Sequence, residues 1–189
     1  MILDGNLLFT GTSNGASGGI TATANTDSVA QTTGTYVCSN VVDLGISGLP
    51  TSASGGGARD IGIGDNPMLK LFITTPVAMG SSGSATIQFE LDGGVDNGSG
   101  SPTWGTIMWQ SQAIAYNAVG AGMAIANVDV PRIVPGQALP RFLRVRFIVG
   151  GATISGGTVE ASIVVDRFDQ VVGTSGALSA YPPGIVISN

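Results

Sequence analysis

Strict alternation of apolar and polar side chains constrains this chain more than any other feature. In Ala85-Thr86-Ile87-Gln88-Phe89-Glu90-Leu91, four apolar residues face one way and three polar ones the other. Residues 158–166 repeat the pattern with Val159, Ala161, Ile163 and Val165 on the apolar side. Residues 141–149 set Leu143, Val145, Phe147 and Val149 against Arg144 and Arg146. A period of two is the mark of a half-buried antiparallel strand. Further strands are expected at residues 20–26, 37–44, 68–73, 104–110 and 123–130. Glycine, serine and proline punctuate them at 45–57, 80–84 and 92–102, and residues 150–157 read as a hairpin connection. Residues 113–126 contain Gly120 and Gly122 and show no 3.6-residue stripe, so no helix is expected there. The expected fold class is all-β: an antiparallel β-sandwich or jelly roll of about eight strands. An N-terminal arm (1–19), a jelly-roll domain (20–170) and a C-terminal tail (171–189) are the expected organisation.

The 189 residues suffice for one domain with a core of its own. The 30 glycines and 9 prolines make about a fifth of the chain, short of low-complexity disorder, and 43% hydrophobic residues can bury enough surface to fold. Charge is scarce: 10% of residues, with 7 basic against 12 acidic and a net of -5. Seven scattered cations cannot track a phosphate backbone, so no nucleic-acid partner is expected. No apolar run approaches the length of a membrane span, and the start carries no basic, apolar leader, so neither membrane nor export is expected. With no histidine and only Cys38, the chain lacks the commonest general base, the usual transition-metal ligand and any internal disulfide. No cofactor and no metal are expected. A folded monomer of this mass exposes roughly 8,300 Å², or one formal charge per about 440 Å², less than half the usual density. Such a surface is poorly protected against association.

The motifs that suggest chemistry read better as structure. Gly11-Thr12-Ser13-Asn14-Gly15 matches a nucleophile elbow but has no histidine to take the proton. Gly62-Ile63-Gly64 is half a dinucleotide fingerprint, with Pro67 where the third glycine belongs. Asp92, Asp96 and Asn97 form an oxygen-rich stretch without EF-hand spacing. Glu90 and Glu160 are a possible carboxylate pair, and Cys38 reads as a small buried hydrophobe. Catalytic residues are therefore expected nowhere.

An ordered series of segments resembles one family. It comprises Met1-Ile2-Leu3-Asp4 with Leu8-Phe9, Ile20-Thr21-Ala22-Thr23, Ser39-Asn40-Val41-Val42-Asp43-Leu44-Gly45 and Ala58-Arg59-Asp60-Ile61-Gly62-Ile63-Gly64. Pro140-Arg141-Phe142-Leu143-Arg144-Val145, Val164-Val165-Asp166 and Tyr181-Pro182-Pro183-Gly184 continue it. The series is similar to the capsid cement, or decoration, proteins of tailed phages, like that of Bordetella phage. The glycine-rich stretches at 32–35, 45–57 and 92–102 depart from that pattern. The resemblance implies a non-enzymatic jelly roll on the outside of a phage capsid, with the major capsid protein and further copies of itself as partners. The competing function is a carbohydrate-binding jelly roll, which needs a shared aromatic platform. Trp104 and Trp109 are five positions apart and point to opposite faces of a regular strand.

Interface residues are expected in two places. Arg144 and Arg146, with Arg141 before them, form a row of paired forks about 7 Å apart suited to carboxylates. Glu90, Glu160 and Asp166 are the nearest acids by patterning; if they pair with the row, it is structural and the interface role weakens, and if they do not, a partner is the destination. Leu7, Leu8, Phe9, Tyr181 and Ile185 in the terminal segments are expected to be mobile in a monomer and to anchor on a neighbour.

Overall fold

The apolar positions of the alternating segments become the core. Leu71, Ile73, Ile87, Phe89, Leu91, Leu143, Val145, Phe147 and Ile163 are all fully buried. The computed structural model describes residues 2–11, 22–23, 25–44, 69–81, 83–130 and 140–165. Its strands are β1 (Ile2–Leu8), β2 (Ala22–Thr23), β3 (Thr26–Ser28), β4 (Gly34–Asp43), β5 (Leu69–Ser81) and β6 (Thr86–Asp96). They continue with β7 (Pro102–Gln110), β8 (Ile114–Ala115), β9 (Met123–Asp129), β10 (Phe142–Gly150) and β11 (Ile154–Val165). Among the described residues one 3₁₀ turn, Tyr116–Ala118, stands where no helix was expected.

Two antiparallel sheets face each other. The first runs β2-β3-β11-β5-β9, with β1 also paired to β11. The second runs β4-β10-β6-β7, with β8 paired to β6. Leaving aside the added segments β1, β2 and β8, the remaining strands nest. First lies beside last in one sheet, second beside next-to-last in the other, and the β6–β7 hairpin closes the winding. That is the jelly-roll order, in which two Greek keys wrap one core. Phe147 stands at the centre of that core, 5.5 Å from the Tyr36 ring and 6.2 Å from Phe89 between centroids.

Three expectations need correction. Residues 150–157 do not make a hairpin, because β10 and β11 belong to different sheets. The chain turns a corner there, and turn residues alone do not say to which sheet it returns. Residues 92–102 are not one loop. The ladders with β7 and β10 carry β6 through Gly93 and Gly94 to Asp96, overriding the weak strand propensity of that stretch. A Cβ on Gly94 would lie 2.9 Å from the Trp104 ring, so the close crossing of β7 requires glycine there.

The third correction concerns the N-terminal segment. Leu8 pairs with Ser162. The Phe9 N–H donates to the Ala161 carbonyl at 2.8 Å, and the Asn40 N–H donates to the Phe9 carbonyl at 2.9 Å. Leu7, Leu8 and Phe9 are buried, Phe9 completely. The segment is not a free arm but a strap between the sheets, because its apolar side chains complete the core between β11 and β4. Tyr181 and Ile185 lie outside the described residues.

Candidate functional site

The polar face of the second sheet is assembled from register. Counting across its strands, one row is Val41 (β4), Arg144 (β10), Asp92 (β6) and Ile107 (β7). The next is Val37, Arg146, Glu90 and Gln110. Directly opposed residues on adjacent strands are close enough to pair. Here they do so with opposite charge.

Arg144 Nε donates to Asp92 Oδ2 at 3.0 Å. Arg146 Nε donates to Glu90 Oε2 at 2.5 Å and lies 3.2 Å from Asp92 Oδ2. Gln110 Nε2 donates to the other Glu90 oxygen, Oε1, at 2.6 Å. The row of arginines is thus paired within the chain, by Glu90 as expected and by Asp92, which the loop reading of 92–102 had hidden. Glu160 stands on β11 in the other sheet, and Asp166 lies outside the described residues. By the criterion set out above, the Nε side of the row is structural, which leaves only the terminal Nη groups for any contact outside the chain.

Depth separates the two signs of charge. The Glu90 and Asp92 side chains are 2% and 5% exposed, Arg144 and Arg146 17% and 25%. The carboxylates form a floor and the guanidiniums a roof. Arg144 also lies over the Trp104 ring, 4.1 Å from its centroid, a cation–π contact that fixes the plane of the guanidinium. Both arginines bond through Nε, and among the described residues their terminal Nη groups have no hydrogen-bond partner. Asp92 Oδ1 is buried, also without one. Val41 and Ile107, 38% and 51% exposed, flank the charged centre at the two edges of the sheet.

Arg141 differs. Its Nε and Nη2 donate to both oxygens of Asp43, each at 2.9 Å, and its Nη1 bonds Asp96. It clamps β4 to the end of β6. The Asp43 bonds, the largest influence, hold its proton more tightly than usual. Asp96 also accepts from the N–H groups of Gly98 and Gly100, at 2.9 and 3.0 Å. The Gly98 bond first, then Gly100 and Arg141, pull its carboxyl below the ordinary range. Asp92 and Asp96 therefore face guanidinium groups, and among the described residues no three acidic, cysteine or histidine side chains converge as a metal site.

The remaining candidates sit in the interior. Cys38 is buried, and burial first, then the nearby Asp27 carboxylate, push its thiol well up, away from the reactive thiolate. Trp104 lies on the polar face under Arg144, whereas Trp109, opposite Leu91, packs against the core. The two tryptophans share no platform. The motif residues Thr12 to Gly15 and Gly62 to Gly64 lie outside the described residues.

Compared with known protein families, residues 17–163 match the family described as Bbp16. No curated protein matches the chain.

Proposed function

The chain belongs to the Bbp16 family, a family of Bordetella-phage type, and from that membership we propose that it is a capsid cement protein. In this reading it binds the outer surface of a phage capsid, joins neighbouring capsomers and acts without catalysis or cofactor. Its partners are the major capsid protein and further copies of itself, and it is assembled in the host cytoplasm. The family match carries the proposal. Two physical features support it. A jelly roll presents broad, regular sheet faces rather than a deep cleft, which suits surface-to-surface docking. The surface of a chain in which only 10% of residues are charged loses little hydration when it is covered.

The test uses particles of the phage that carries this gene, prepared without the protein. Purified chain added to them is expected to co-sediment at a fixed stoichiometry and to raise the temperature or osmotic shock at which the particles rupture. A chain that stays in the supernatant overturns the reading.

A further inference from the structure

We infer that the guanidinium roof of the second sheet is a docking site for a carboxylate side chain of the capsid protein, flanked on that partner by apolar residues. The inference rests on the cement reading and adds the face and the chemistry of contact. Three observations carry it. The terminal Nη groups of Arg144 and Arg146 have no partner among the described residues, while Nε of each is tied to Asp92 or Glu90 beneath. An Nη pair held this way is a bidentate donor for a carboxylate, already oriented, so little side-chain entropy is lost on binding. Exposed Val41 and Ile107 stand at the ends of the same cross-strand row. They offer apolar contact on either side of the charge, with Trp104 backing Arg144.

The outward charge also selects the partner. A two-fold contact between copies of this chain through this face would set like patches together. Guanidinium forks would then oppose guanidinium forks, so the face suits an acidic partner rather than itself. Three of the four floor oxygens, Glu90 Oε1 and Oε2 and Asp92 Oδ2, are already bonded, and Asp92 Oδ1 is buried beneath the sheet face without a partner.

The experiment compares variants for binding to the same protein-depleted particles. Ile107→Asp places a carboxylate beside the docking position without touching the core. Arg144→Lys with Arg146→Lys keeps the ion pairs but removes the forks. Each is expected to weaken particle binding by at least about tenfold, with Ile107→Asp still folded at the binding temperature despite a lower thermal midpoint from its position opposite Asp92. Val77→Asp, at a position 53% exposed on β5 of the other sheet, is the control and should bind as the wild type does. If Ile107→Asp binds normally, or Val77→Asp alone fails, the docking face is wrong while the cement reading stands. Loss of self-association with particle binding retained likewise overturns it, and a wild-type chain that ignores the particles overturns both. If the lysine variant does not fold, Ile107→Asp decides the matter alone.

Discussion

Among the described residues, Asp27 is the buried carboxylate with the most hydrogen bonds. It accepts from the Ser39 N–H at 2.7 Å, the Ser39 hydroxyl at 2.5 Å and the Gly11 N–H at 2.9 Å. Asn40 Nδ2 holds the Thr10 and Gly11 carbonyls from the same side, at 3.0 and 3.1 Å. Asp27→Ala leaves these donors buried without an acceptor, so we expect a loss of about 3–5 kcal/mol, read as a lower urea midpoint. A variant within about 0.5 kcal/mol of wild type would show that water replaces the carboxylate. At the turn after β6, Asp96 has a lowered carboxyl, so its contribution is present above the unfolded-state value near ~3.9 and fades as pH falls through the lower folded-state value. The stability gap between wild type and Asp96→Asn should therefore be widest at neutral pH and close in acid. A gap that widens on acidification contradicts the assignment. Arg144 and Arg146 were legible as a surface row because alternation is local. Their partners were only half legible, because Arg144–Asp92 and Arg146–Glu90 join residues 52 and 56 positions apart through a register that no local pattern encodes.

Among the elements, the N-terminal strap and the corners depart most from a reading of the sequence. Leu7-Leu8-Phe9 is a short apolar run without alternation, and its partners Asn40 and Ala161 are remote in sequence. Between Val37 and Val41, β4 spends four residues against two of β10. The extra residues turn Cys38, Ser39 and Asn40 inward to meet Asp27 and the strap. Phe9→Ala should cost about 3–5 kcal/mol of stability, whereas an arm that orders only on a neighbour predicts no change in the isolated protein. At the β10–β11 corner, Gly151 has φ +74°, and a Cβ there would lie 2.2 Å from the Ser84 carbonyl oxygen. Gly151→Ala is expected to destabilise by about 2 kcal/mol or more, because both the left-handed backbone and the touching β5–β6 corner resist the methyl group. A melting temperature equal to wild type would show that the two corners move apart. The long strands themselves were legible for the opposite reason: Ile87, Phe89 and Leu91 declare their face within seven residues.

Over the whole molecule, a charge-poor surface and a localised ion-pair face belong to one design. Three of the seven cations, Arg141, Arg144 and Arg146, gather on the second sheet and its margin, where acids hold them in place. Arg141 closes the end of that sheet, and the other two lie over the buried carboxylates of Asp92 and Glu90. The second sheet thus carries a defined polar centre of paired charges. The most direct test is cryo-imaging of the phage particles with and without the protein. The account predicts jelly-roll density on the capsid exterior in the first map, its second sheet toward the capsid protein, and bare capsomer junctions in the second. Identical exteriors in the two maps would contradict it.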